Sequence, residues 1–153
     1  MRSLEDTGDR NAARPDEVTM KTTLFRVILP VTDIEHAAGF YGAILGQAGQ
    51  RVSAGRHYFD CGGTILACFD PAADGDGYAP TSIPEWIYLA VDDLEGAFAA
   101  CRTADATFSE EDVHGSPAGQ IRRRPWGERS FYVLDPFGNK LCFVDETTKF
   151  TGS

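Results

Sequence analysis

The densest gathering of chemically capable side chains lies in residues 125–144, PWGERSFYVLDPFGNKLCFV. Trp126, Glu128 and Arg129 stand at the mouth of this stretch and Cys142 lies within it: an indole, a carboxylate, a guanidinium and a thiol. Such a set can bind a ligand or move a proton. A nucleophilic Cys142 would need a base beside it, and no histidine is near in sequence, so a small buried residue is the favoured reading. Tyr58, Tyr88 and Tyr132 could each donate a proton or simply pack. His36, His57 and His114 form no HxH, HxxxH or His–Glu pair, and Cys61, Cys68, Cys101 and Cys142 include no CxxC. Neither pattern has metal-ligand spacing. The run Arg122–Arg123–Arg124 alternates faces on a strand; a charged edge that resists aggregation is favoured over an anion contact from Arg124.

These residues need a scaffold. In residues 128–134 aromatic and β-branched residues dominate, Asp135-Pro136-Phe137-Gly138-Asn139 is a turn cluster, and 140–144 resumes an apolar run. Strand, turn, strand is the reading, with Pro136 presetting the turn and Gly138 and Asn139 tolerating positive φ. Upstream, 24–31 is an apolar strand, and Thr32-Asp33-Ile34-Glu35 is a capping-box pattern with Thr32 as N-cap. Ile34, Ala37, Ala38, Tyr41, Ile44 and Leu45 then recur at helical period until Gly46. Short strands are expected at 50–53, 56–61 and 64–69, the last two joined at Gly62-Gly63. Residues 70–84 are a Pro/Gly/Asp linker. The order then restarts with a strand at 86–91, a capping box at 92–95, a helix, and strands at 106–109, 120–124, 128–134 and 140–144, with 110–119 an exposed loop.

The chain is its own best comparison. Leu29-Pro30-Val31-Thr32-Asp33-Ile34-Glu35 lies over Leu89-Ala90-Val91-Asp92-Asp93-Leu94-Glu95 at an offset of 60, and Gly63, Leu66 and Asp70 match Gly138, Leu141 and Asp145 at 75. This is an internal repeat, its growing offset absorbed after residue 109. Each βαβββ unit is too small to be comfortable alone. Two of them leave faces free to enclose a cleft, where a site is expected.

Bulk properties exclude some partners. At 153 residues the chain has one domain's worth of sequence. A formal charge of −9 and a pI near 4.7 argue against nucleic acid and are compatible with a cationic ligand or with simple solubility. No apolar run approaches the ~20 residues of a membrane span, and the polar N-terminus does not resemble a signal peptide. Cysteines in such a chain are expected reduced, in the cytoplasm. Residues 1–20 hold five acids and three arginines with little to bury, so a disordered tail is expected, with Met20 a possible start. One domain is expected over 21–147, its modules at about 22–70 and 85–146, and 148–153 as a C-terminal tail.

Two βαβββ units, a V-x-D-[IL]-E junction in each and PWGERSFYVLDPFGN near the end together resemble the vicinal oxygen chelate superfamily, which includes glyoxalase I, extradiol dioxygenases, fosfomycin-resistance enzymes and bleomycin-resistance proteins. The resemblance covers about residues 22–146. It implies an α+β fold in which two tandem βαβββ modules form a curved mixed sheet around a cleft. Enzymes of that group hold one divalent metal through the first and last strands of each module. Those positions fall here on Arg26, Trp86, Ala67 (with Cys68 adjacent) and Cys142. An arginine, a tryptophan and an alanine cannot hold such a cation, and one thiolate cannot do so alone. The comparison therefore implies no metal and no cofactor.

The bleomycin-resistance branch, metal-free homodimers that sequester a bulky cationic drug, is the part of the superfamily this pattern resembles most. Binding of that kind uses flat aromatic surface and a carboxylate. The expected ligand-binding set is Arg26, Phe59, Trp86, Tyr88, Trp126, Glu128, Tyr132 and Cys142. An arginine inside an apolar strand is costly unless paired, so Arg26 is expected to meet Glu128 or an acid of a partner chain, or else an anionic group. The expected partners are a small molecule and a second copy of the chain, with neither nucleic acid nor membrane. The alternative is a lyase, isomerase or hydrolase working through Glu128, Tyr88 or Tyr132, or through an atypical metal site. A third reading is a module whose cleft is filled by its own side chains.

Overall fold

The computed structural model describes residues 20–152; the tail expected over residues 1–20 lies, but for Met20, outside the described residues. The first module runs β1 (Arg26–Pro30), α1 (Ile34–Leu45), β2 (Gln50–Ser53), β3 (Arg56–Cys61) and β4 (Thr64–Phe69). The second runs β5 (Ile87–Val91), α2 (Leu94–Thr103), β6 (Thr107–Phe108), β7 (Asp112–Val113), β8 (Ser116–Pro117), β9 (Arg122–Arg123), β10 (Arg129–Leu134) and β11 (Lys140–Asp145). Strand order is β1-β4-β3-β2 in one sheet and β5-β11-β10-β6 in the other, so the repeat read from sequence is a repeat of topology. Each sheet has one parallel pair, with Ile28 opposite Ala67 and Tyr88 opposite Cys142. The fold is the expected α+β arrangement of two tandem modules, each with its own mixed sheet, and β7–β8 pairs as a separate two-stranded ribbon.

Each helix N-cap lies one residue past the expected one. Asp33 and Asp93 are the N-caps, accepting from His36 N at 3.1 Å and from Gly96 N at 2.9 Å. An aspartate side chain reaches the third N–H of the helix, which frees Thr32 and Asp92 from that role. The two junction glutamates consequently serve as bridges: Glu35 meets Arg51 at 3.0 Å, and Glu95 pairs with Arg129.

Period-two alternation divides each sheet between two environments. Leu29, Phe59, Leu66 and Cys68 from one sheet join Phe131, Val133, Leu141 and Phe143 from the other in one core that includes both helices. On the opposite face of the second sheet, Tyr132, Cys142 and Val144 form a smaller cluster with Ala118, and Trp86 and Val113 pack against it. Ala118 and Val113 belong to the stretch expected to be a plain loop. It carries the β7–β8 ribbon, turned at His114-Gly115 with φ of 49° and 85°, both positive as a two-residue hairpin demands.

The Asp135–Asn139 turn joins the modules. Asp135 accepts from Phe137 N, Asn139 N and Asn139 Nδ2, and takes a hydrogen bond of 2.5 Å from the Tyr41 hydroxyl of α1. Asn139 Nδ2 donates to Pro30 O at 2.7 Å and its Oδ1 accepts from Ile83 N at 2.9 Å. Burial, with the Asp135 carboxylate beside it, holds the Tyr41 pKa well above the usual phenol range. This turn is structural. Among the described residues no helix is long and apolar enough to cross a membrane.

Candidate functional site

The turn between β9 and β10 sets the geometry of the site. Arg124 N donates to Glu128 O at 2.6 Å and Gly127 N to Arg124 O at 2.8 Å; Gly127 has φ of 98°, which a side chain would strain. Trp126 and Glu128 thereby project together, and the indole Nε1 donates to Glu128 Oε1 at 2.8 Å. Glu128 Oε2 accepts from Phe150 N at 2.7 Å, so the carboxylate fastens the C-terminal segment as well. Although a carboxylate, Glu128 is only 7% exposed.

Around this carboxylate lies a cavity of about 370 Å³, lined by Tyr88, Ala90, Trp126, Glu128, Val144, Lys149, Phe150 and Thr151. Its three rings are open to solvent: Tyr88 is 53% exposed, Trp126 37% and Phe150 55%. The His114 ring meets Trp126 edge-on at 5.9 Å, so the β7–β8 ribbon buttresses one wall. A second cavity, of about 520 Å³, runs between the modules and shares Tyr88, Ala90 and Lys149 with the first. Its other walls include Leu45, Asp60, Cys61, Leu89 and Glu146.

The floor beside the first cavity is chemically quiet. Tyr132 lies under Trp86 and Tyr88, with ring centroids 5.0 and 6.3 Å away. Burial, then Cys142 and Tyr88, raises its phenol pKa. Burial likewise pushes the Cys142 thiol up to about 12. Both groups hold their protons at neutral pH, which removes Cys142 as a thiolate nucleophile.

Of the residues expected at the site, Tyr88, Trp126 and Glu128 line the cavity, and Trp86, Tyr132 and Cys142 lie beneath it on the same sheet face. Phe59 and Arg26 are elsewhere. Phe59 is in the core against Tyr41 and His57, because alternation along β3 turns it toward α1. Arg26 is an exposed residue of β1 whose guanidinium lies over the Phe25 ring at 5.0 Å. It does not meet Glu128, whose two oxygens are taken by Trp126 and Phe150.

Arg124 overturns the reading of a solvated basic edge. It is 1% exposed, and its donors reach Ser130 Oγ, Ser116 Oγ, Pro117 O, Ala118 O, Gln120 O and Ser130 O at 2.9–3.3 Å. Its guanidinium lies over the Tyr132 ring at 5.2 Å. No carboxylate pairs with it among the described residues, and burial lowers its pKa. The C-terminal wall was missed too. Phe150, an aromatic residue in the polar run ETTKFTGS, was the one available signal.

The four positions that carry metal ligands in related enzymes do not fit a metal. Ala67 has no donor, Trp86 packs on Tyr132, Arg26 points its charge outward, and Cys142 is a buried protonated thiol. Among the described residues no three His, Cys, Asp or Glu side chains gather closely enough to hold an ion.

Residues 23–143 match the model of the Glyoxalase/Bleomycin resistance protein/Dioxygenase superfamily, and the chain belongs to that superfamily. Among solved structures it is similar to a glyoxalase-related enzyme from Fulvimarina pelagi, at 18% identity over 87% of this chain and 94% of that one, with a TM-score of 0.65. It is also similar to the oxidase ChaP-H2, at 24% identity over 88% and 98% of the two chains and a TM-score of 0.65. A glyoxalase/bleomycin resistance protein from Albidiferax ferrireducens T118 matches at 23% identity over 79% and 97%, with a TM-score of 0.63. At these identities the likeness is one of fold. No curated protein sequence matches the chain.

Proposed function

We propose that this chain is a binding member of its superfamily, working without a resident metal, which takes an aromatic or cationic small molecule into the cavity between Tyr88, Trp126 and Phe150. One observation carries the reading: three solvent-open rings and a buried carboxylate line one cavity, while Arg26, Ala67, Trp86 and Cys142 offer no set of donors for a metal. Rings of this kind supply flat apolar area and attract cations, and a desolvated carboxylate favours positive charge. A homodimer belongs to the proposal. Leu24, Phe25 and Ile28 leave an apolar patch along β1 exposed, and a second copy is the proposed cover. Sequestration of a cationic antibiotic such as bleomycin is the biological role this reading favours.

The test is a fluorescence titration of the Trp86→Phe variant, in which Trp126 is the sole indole, against a broad panel of aromatic cations that includes bleomycin. Saturable change in emission is expected for at least one member. Silence across the panel would sink the reading, and a stoichiometric Zn, Ni, Fe or Mn in protein purified without chelator would favour a metalloenzyme.

A further inference from the structure

The carboxylate at the base of the cavity is unusual in how it is used. Glu128 is more than nine-tenths buried, and each oxygen already accepts an N–H: Oε1 from Trp126 Nε1 and Oε2 from Phe150 N. Among the described residues no ammonium or guanidinium lies within salt-bridge distance of it. The nearby basic groups are otherwise engaged: Arg124 is spent on neutral oxygens, and Arg123 Nη1 donates to Gly127 O at 2.8 Å. Lys149 is the one cation on the cavity wall, an exposed residue whose flexible stem lets the ammonium stay in water. The charge of Glu128 thus has no ion-pair partner among the described residues, and two of its four acceptor sites hold the indole and the C-terminal segment in place.

A cation with N–H groups gives up strongly held water on entering a cavity walled by rings, and Glu128, 7% exposed, presents little surface to replace it. A cation with no N–H faces no such cost: it needs only a negative field and ring faces to sit against. Tyr88, Trp126 and Phe150 offer those faces around the same carboxylate. Resting on the binding function proposed above, we infer that the cavity is an aromatic cage for a quaternary ammonium or N-alkylated aromatic cation, with Glu128 as the fixed counter-charge and the three rings as its walls. Selectivity follows from the buried carboxylate. Primary amines are disfavoured because they lose strongly held water and a carboxylate 7% exposed returns little of it, and neutral ligands of the same shape gain nothing from Glu128.

Three probes separate the possibilities in full-length protein: benzyltrimethylammonium, its neutral carbon isostere neopentylbenzene, and benzylammonium, a smaller cation that donates N–H groups. The quaternary cation is expected to bind at least about tenfold more tightly than either of the others. Tyr88→Leu, an exposed position where apolar contact survives but the π face does not, is expected to erase most of that preference, weakening the quaternary cation by a larger factor than neopentylbenzene. Glu128→Gln is expected to act likewise, and Lys149→Gln to tighten the cation two- to threefold or so by removing a like charge. Equal binding of neopentylbenzene and the quaternary cation would overturn the cage and leave the broader binding function standing. Tighter binding of benzylammonium would overturn it as well, since that result requires direct N–H donation into the site to outweigh the ring contacts. No binding by any of the three overturns the cage, and the broad panel then decides the binding function separately.

Discussion

Arg124 shows how a single side chain can organise a site it never touches. Its guanidinium fork holds the β7–β8 ribbon, the chain at Gln120 and the start of β10 together beneath the turn that carries Trp126 and Glu128. Arg124→Ala would strand several buried oxygens, each costing about 1–3 kcal/mol when unsatisfied, so urea unfolding is expected to show a loss of at least about 3 kcal/mol. Arg124→Lys should recover little of it, because three donors on a flexible stem cannot reproduce five in a planar fork. A near-neutral Arg124→Ala would refute this role. Thiols give a second prediction. Burial lifts Cys68, Cys101 and Cys142 to about 12 from an ordinary 9.0. Groups whose folded pKa is raised keep their full contribution below pH 9 and lose it as pH climbs toward 12, since only the unfolded chain releases its protons in that window. Stability should therefore fall across pH 9–12, and at pH 8 a thiol reagent should find Cys61, the half-exposed one, before any other. Arginine burial was illegible in the sequence: three consecutive arginines look alike until the ribbon that covers one of them is placed.

At the scale of elements, period and turn chemistry carried most of the information. The bounds expected for β2, β3 and β4 are those observed, because Gly62-Gly63 and the alternation leave one register. The expected strand at 120–124 shrinks to Arg122–Arg123, since Gln120 and Arg124 are engaged in holding the ribbon. The faces were harder to read. Trp126, Glu128 and Tyr88 converge because a turn and an edge strand meet, whereas Phe59, also aromatic, lies on the buried side of β3. The segment after β11 is the clearest departure from expectation: residues 149–151 form a wall, fixed to Glu128 by one amide. Phe150→Pro deletes that N–H, and the extended backbone at Lys149 (φ −60°, ψ 138°) suits a residue before proline. Acrylamide quenching of Trp126 should rise severalfold in this variant; unchanged quenching would mean that the amide does not hold the wall.

Across the whole molecule, the internal repeat foretold the topology because both modules solve one problem, burying one face of a mixed sheet against one helix. Modules differ where their second faces are used. In the second module the inserted ribbon and Trp86 pack against Cys142, so that face is filled from within. In the first, the patch at Leu24, Phe25 and Ile28 is left uncovered. On the proposed dimer, Ile28→Glu should shift the mass measured by light scattering from two chains to one without unfolding the protein. A wild-type chain that is monomeric at all concentrations would count against the second copy. What neither composition nor period could disclose is which module holds the cavity, since that depends on an insertion with no counterpart in the first.

The central claim is that this cavity binds without a metal. Calorimetric titration of the full-length protein with benzyltrimethylammonium, before and after exhaustive chelation, tests it most directly. The account predicts one site per chain, the same affinity in both preparations, and loss of binding in Trp126→Ala. Binding that disappears on chelation and returns with a divalent ion would contradict it.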